Sequence, residues 1–118
     1  MSPSEVFLLV DKALPGKTFT DFAPAEAREP YVILERYPDD RYMTLCGPTN
    51  ATLLTFRIHS YAKTTQDAGE IMDRIYALVD ACEGDPLIDK RQDWKEQDTR
   101  IKRVTAVLTT TYHTDEVQ

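Results

Sequence analysis

The sequence contains few of the residues that build metal sites or covalent cross-links. Its two cysteines, Cys46 and Cys82, lie far apart and form no C-x-x-C pair, and its two histidines, His59 and His113, are also widely separated. Zinc sites and disulfide frameworks need closely spaced ligands or several cysteines. We therefore expect no metal and no disulfide. We interpret the histidines as structural or solvated and the cysteines as buried thiols in a reducing cytosol.

Glycine is scarce as well, with 4 in 118 residues, and no glycine-rich phosphate loop or dinucleotide motif occurs. The sequence motifs of serine hydrolases and zinc peptidases are also missing. The longest apolar run, residues 6–10, is far shorter than the ~20 residues of a membrane-spanning helix, and no export motif accompanies it. We therefore expect no catalytic residue, no cofactor, no membrane anchor and no export signal.

The composition is otherwise that of an ordinary globular chain. Hydrophobic residues make up 42% and charged residues 29%, which excludes collagen-like, low-complexity and wholly disordered proteins. A chain of this length buries enough surface for one core, so we expect a single domain over residues 1–118. The formal charge is -6, from 14 basic and 20 acidic residues, and it disfavours binding of a monomer to nucleic-acid phosphates.

Two segments carry helix signals. Residues 2–5 (SPSE) have the spacing of a capping box with proline at the first helical position, and the Pro-Gly pair at 15–16 ends the short helix that follows. A longer amphipathic helix begins near Thr64 and ends at residues 83–86. Its apolar residues recur at intervals that place them on one helical face: Ala68, Ile71, Met72, Ile75, Leu78, Val79 and Cys82.

Strands are indicated at residues 18–22, 31–37, 52–61 and 99–112, where β-branched and aromatic residues are frequent or apolar and polar residues alternate. The order of elements predicts an α+β fold. We expect a mainly antiparallel sheet of about four strands, with a short N-terminal helix and one long amphipathic helix packed on one face.

The second face of the strand at 52–61 is the most informative surface feature. It carries Thr55, Arg57, His59 and Tyr61, a polar and partly aromatic row with no acid in the same strand. One interpretation is a solvated sheet face. The other is a subunit interface, where tyrosine and arginine are over-represented.

Two further segments carry residues suited to contacts. Residues 38–50 are a long turn-rich stretch that we expect to leave the sheet. Within it, the Asp39-Asp40 pair makes a turn, or it binds a hard cation or a basic partner. Trp94 lies alone in the charged stretch 89–98, where it either anchors a partner or covers the core.

The order of these segments resembles the tail completion, or tail terminator, family of long-tailed bacteriophages. The resemblance is carried by residues 30–36 (PYVILER), the turn-rich gap, residues 55–62 (TFRIHSYA), the amphipathic helix and a last strand ending in threonine and aromatic residues. It spans nearly the whole chain. The charged stretch around Trp94 departs from the family pattern.

The resemblance implies a structural virion protein that catalyses no reaction. It implies a ring of copies, hexameric by expectation, that caps the head-proximal end of the tail tube after assembly in the host cytoplasm. The implied partners are further copies of the chain, the major tail tube protein and the head-completion or neck protein. DNA passes through the bore without specific binding, and six copies carry a charge of roughly -36, which repels phosphates.

The candidate residues for a subunit or tube interface combine the strand face with the two contact segments: Asp39, Asp40, Arg41, Tyr42, Met43, Arg57, His59, Tyr61 and Trp94. Three alternatives stay open at this point. A head-completion or neck subunit would also form a ring. A small α+β enzyme or ligand-binding domain would use a pocket between the long helix and the sheet, with His59, Tyr61 or Tyr112 as polar groups. An adaptor would bind protein by strand addition at a sheet edge.

Overall fold

The structure is a computed structural model that describes residues 1–37, 40–44, 47–82, 86–94 and 101–113, with side chains described at 1–37, 52–82, 86–93 and 101–111. A short N-terminal helix is followed by four strands, a long helix and two further strands within these ranges. The elements are α1 (Pro3–Asp11), β1 (Thr18–Thr20), β2 (Tyr31–Arg36), β3 (Asp40–Thr44), β4 (Gly47–Ala62), α2 (Thr65–Asp80), β5 (Leu87–Trp94) and β6 (Lys102–His113).

The strands form one sheet in the order β1-β2-β4-β6-β5, and β3 pairs with β4 beside this path. Only β1 and β2 run parallel, and the other pairs are antiparallel. β4 is the central strand, because β2 pairs with its second half, β3 with its first half, and β6 with residues 51–62 on the opposite side. The predicted α+β class with a mainly antiparallel sheet is confirmed.

Both helices pack on one face of this sheet, which we call the inner face. Alternate strand residues point into the shared core, as the two-residue period of a strand requires. Leu78 and Cys82, which the helical pattern also assigned to the core, are only half-buried. The fully enclosed members come from both helices and the three central strands: Val6, Val10, Val32, Leu54, Ile58, Met72, Ile75, Val104, Ala106 and Leu108.

Local hydrogen bonds fix where each helix begins. The predicted capping box is present in α1, where the Ser2 hydroxyl accepts from the Glu5 amide and the Glu5 carboxylate accepts from the Ser2 amide. Thr64 caps α2 by accepting from the Asp67 amide at 3.0 Å. The buried Ser60 hydroxyl donates to the Ala68 carbonyl at 2.8 Å, and this contact ties the first turn of α2 to the inner face of β4.

The sheet has two strands more than the four that the sequence indicates. The stretch at 38–50 does not leave the sheet as a loop, because β3 pairs back on the first half of β4. The charged stretch after residue 87 contains the edge strand β5. An edge strand needs no apolar alternation, and charged side chains there oppose aggregation, so the pattern that reveals a core strand is missing from β5.

A β-bulge in β5 allows a side chain of this strand to bind the long helix α2. Lys90 adopts a left-handed backbone (φ 59°), and the pairing of β5 with β6 shifts between Asp89 and Gln92. Next to the bulge, the Arg91 guanidinium donates to the Asp73 carboxylate and, at 3.1 Å, to the Gly69 carbonyl. The bulge thus re-aims Arg91 from the edge strand toward α2.

Gly69 and Arg91 should be energetically coupled. Apart from the adjoining residues and backbone of α2, the atom that a Cβ built at Gly69 would meet is Nη2 of Arg91, at 2.9 Å. Replacing a helical glycine by alanine usually stabilises by about 0.5–1 kcal/mol. In an Arg91→Ala background, Gly69→Ala should increase the free energy of unfolding by this full amount. In the wild type most of the increase should be absent, because the new Cβ would displace Arg91 and break its hydrogen bond to the helix. Urea unfolding of the four chains measures the coupling, and equal gains in both backgrounds would disprove it.

Candidate subunit interface

The face of the sheet opposite the helices is uncovered by any described element, and we call it the outer face. It is lined by the residues that alternate with the core residues of β1, β2, β4 and β6. Most of them are half-buried by one another rather than by a second layer. They are Phe19, Tyr31, Ile33, Glu35, Thr55, Arg57, His59, Tyr61, Arg103, Thr105, Val107 and Thr109.

An aromatic row crosses one end of the outer face. Tyr31 and Tyr61 are directly opposite on paired strands, and their rings stack with centroids 5.0 Å apart and planes at 24°. Phe19 extends the row with an edge-on contact to Tyr31 at 6.1 Å. The Arg103 guanidinium lies over the Tyr61 ring, 6.0 Å from its centroid. Ordered rings and an arginine on an open surface are the residue types that dominate binding energy in protein interfaces.

A polar network adjoins the aromatic row and is centred on His59, which is 7% exposed. Its Nδ1 lies 3.0 Å from the Thr105 hydroxyl and its Nε2 lies 3.2 Å from the Glu35 carboxylate. Burial lowers the pKa of His59 from its ordinary value of 6.5. The hydrogen bond to Glu35 opposes this shift, and the positive charges of Arg103 and Arg57 add to it. A neutral imidazole therefore links β2, β4 and β6 across the outer face.

The structure brings three of the predicted interface residues together. Arg57, His59 and Tyr61 share the outer face, with Arg57 stacked over the Tyr37 ring at 4.9 Å from its centroid. His59 is buried in its network, which matches the interpretation of a structural histidine. Asp39 lies outside the described residues. The other predicted members, Asp40, Arg41, Tyr42, Met43 and Trp94, lie in β3 and β5, and their side chains are outside the described set.

The cysteines agree only partly with expectation. Cys82 is a free thiol, as predicted, but it is half-buried rather than buried, with its sulfur 3.5 Å from the Leu78 carbonyl. Cys46 lies outside the described residues.

Comparison with known proteins decides the family. The sequence matches the family model described as tail completion protein gp17 over residues 8–113. The chain belongs to this family. Among solved structures, a chain of the virion of a native gene transfer agent particle has the same fold, with a TM-score of 0.61, 11% sequence identity and 92% of each chain covered. No curated protein matches the sequence.

Family membership identifies a phage-like tail completion protein, a structural component of the virion tail and not an enzyme. Over the described ranges, no group of three or more histidine, cysteine or acidic side chains is placed to hold a metal ion. Neither described helix has the length and apolarity that crossing a bilayer requires.

Several outer-face residues of this tail completion protein were missed by sequence reasoning. Tyr31 lies in the first half of β2, which is apolar on both faces, so no alternation marked it as an outer residue, and the acidic Glu35 farther along was not assigned to a face. Arg103 and Thr105 do alternate with the core residues of β6, and this alternation was the available signal for them. Pairing of β2 and β6 with the two sides of β4 could not be derived from any of these patterns.

The His59 network should make the tail completion protein less stable in mild acid. Because the folded pKa of His59 lies below the unfolded value, the unfolded chain binds more protons between the two values. This contribution to stability is complete above the unfolded pKa of ~6.5 and is lost as the pH falls toward the folded pKa. Denaturant unfolding between pH 7.5 and 5.5 should show the decline, and His59→Gln should flatten it. An unchanged slope in the variant would contradict the assignment.

Proposed function

We propose that copies of this tail completion protein close into a ring, hexameric in form, that caps the head-proximal end of the tail tube and joins it to the neck. The outer face supplies part of the contact between neighbouring copies, or between the ring and the tube. The ring leaves a central bore through which DNA passes. The observation that carries this proposal is an uncovered sheet face, lined with stacked aromatic rings and arginines, in a family whose members complete virion tails.

The sheet edges favour contacts through side chains over strand addition. β1, at one edge, has only three residues, which offer few hydrogen bonds to an added strand. β5, at the other edge, is interrupted by the bulge at Lys90 and carries exposed charged side chains from Asp89 to Asp93. Natural proteins use short, bulged and charged edges to prevent edge-to-edge pairing. Capture of a strand by an adaptor is therefore disfavoured at these two edges.

The β3–β4 hairpin is the second contact element of the proposal. β4 has 16 residues, and at ~3.3 Å per residue it extends over about 50 Å. The longest dimension of the molecule, 51 Å, is close to this length. Residues 47–50 of β4 lie beyond the described residues of β6, and Gly47 and Pro48 pair with β3. A two-stranded ribbon is marginally stable alone, so the hairpin is suited to pack on a neighbouring copy or on the tube.

The charge of the chain suits a ring around DNA. Six copies carry roughly -36, six times the formal charge of one chain. Acidic side chains that line the bore would repel the phosphate backbone and let DNA pass without adhesion.

Native mass spectrometry and electron microscopy test the ring. The wild-type chain should have six times the 13.5 kDa mass, alone or on isolated tail tubes. Arg57→Glu should prevent assembly, because it replaces an outer-face cation by an acid opposite Glu35. Circular dichroism should show a folded monomer, since a like-charged cross-strand pair costs only about 1 kcal/mol or less.

Lys63→Glu is the matched control. It makes the same charge change at an exposed residue in the turn after β4, away from the outer face, and it should assemble normally. Normal rings from Arg57→Glu would remove this residue from the interface. Binding of the wild-type chain to isolated heads but not to tubes would instead identify a neck subunit.

A further inference from the structure

A closed ring needs two unlike patches on each subunit, one facing each neighbour, because its contacts are heterologous. The described part of the chain carries three large apolar side chains that are exposed: Leu8 at 62%, Phe22 at 75% and Leu87 at 66%. Two of these lie at opposite edges of the sheet, Phe22 just after β1 and Leu87 at the start of β5.

At the first edge, Phe22 is presented on a fixed turn. Asp21 has a left-handed backbone (φ 65°) and its amide donates to the Leu34 carbonyl at 3.0 Å, while the Phe22 amide donates to the Thr20 carbonyl at 2.8 Å. Holding a non-glycine residue in this conformation is uncommon. A pocket of about 220 Å³ opens beside the turn, between α1 and the sheet, and Asp21 and Arg36 are among its lining residues.

The second edge has the same components. Leu87 stands next to a pocket of about 290 Å³ that is lined by apolar residues of β5 and β6 and by Asp89 and Lys90. Lys90 is the other non-glycine residue with a left-handed backbone among those described. Leu87 opposes Thr109, which places it on the side of the outer face. Each edge therefore combines an exposed apolar side chain, a pocket and one residue of each charge.

We propose that the β1 edge of one copy docks on the β5 edge of the next, with Phe22 inserted in the pocket beside Leu87. The inference rests on the proposed ring and names its two unlike patches. The charges are complementary in this arrangement, since Asp21 and Arg36 would meet Lys90 and Asp89. The pocket at the β1 edge opens on the helix side of the sheet, and the pocket at the β5 edge opens on the outer-face side. In the proposed contact, neighbouring copies therefore overlap at their edges, and their strands do not pair.

Three substitutions of an exposed apolar residue by glutamine test the contact. Phe22→Gln and Leu87→Gln change the two edges, and Leu8→Gln is the control. All three side chains are exposed, so the monomers should fold as judged by circular dichroism. Loss of a buried anchor side chain costs ~2 kcal/mol of binding free energy. This cost would raise the dissociation constant of the contact by at least about 30-fold. Sedimentation and native mass spectrometry should show dissociation for the two edge variants only. Rings that persist in both edge variants overturn the edge pairing while leaving the ring itself standing.

A cysteine pair tests the geometry directly. In a chain with Cys46→Ser and Cys82→Ser, Phe22→Cys combined with Thr109→Cys should give a ladder of disulfide-linked oligomers under mild oxidation with diamide. Each single variant can give dimers at most. A double variant that also stops at dimers overturns the proposed pairing. A wild-type chain that stays monomeric both alone and with tail tubes contradicts the ring, and that result is distinct from failure of the edge contact.

Discussion

The pairing of β4 with β6 organises the rest of the structure. Every residue of β4 from Ala51 to Ala62 opposes a residue of β6, so the two strands fix one register over most of their length. Since side chains alternate along a strand, this register decides which residues are enclosed and which are left outside. Ile58 and Ala106 meet under the helices, whereas His59 and Thr105, one position along, meet on the outer face. A slip by one residue would exchange the two sets.

The two faces are stabilised by different forces. The inner face gains its stability from apolar burial beneath α1 and α2. No described element covers the outer face, and its order comes from contacts within the face, such as the stacked tyrosines Tyr31 and Tyr61 and the hydrogen bonds of His59. These contacts hold rings and guanidinium groups in place before any partner arrives. A surface ordered in advance loses less conformational entropy on binding, which suits a protein whose activity is assembly.

The sequence was sufficient to predict the elements that are determined by residues close together in the chain. The start of α2 near Thr64, five of the seven residues of its apolar stripe and the alternation in β4 each depend on neighbouring residues, and these were predicted correctly. β3 and β5 were missed because each gains its order from a partner strand: β3 from the first half of β4, and β5 from β6 with Arg91 bonded to α2. The outer face was only half predicted for the same reason. The alternation in β4 marked Arg57 and Tyr61, but Tyr31 and Arg103 join them through strand pairing.

In the proposed ring, the same edges that resist strand addition would determine how copies join. A bulged, charged β5 and a three-residue β1 leave few backbone groups for a neighbour to pair with, so continuation of the sheet into the next subunit is disfavoured. Backbone pairing along an edge also sets no limit on the number of copies, and it leads readily to open fibres. The proposed side-chain contacts at the turn of Asp21 and the bulge of Lys90, both with left-handed backbones, would have fixed directions instead. Fixed directions define a rotation between neighbours, and a defined rotation is what allows a heterologous contact to close on itself.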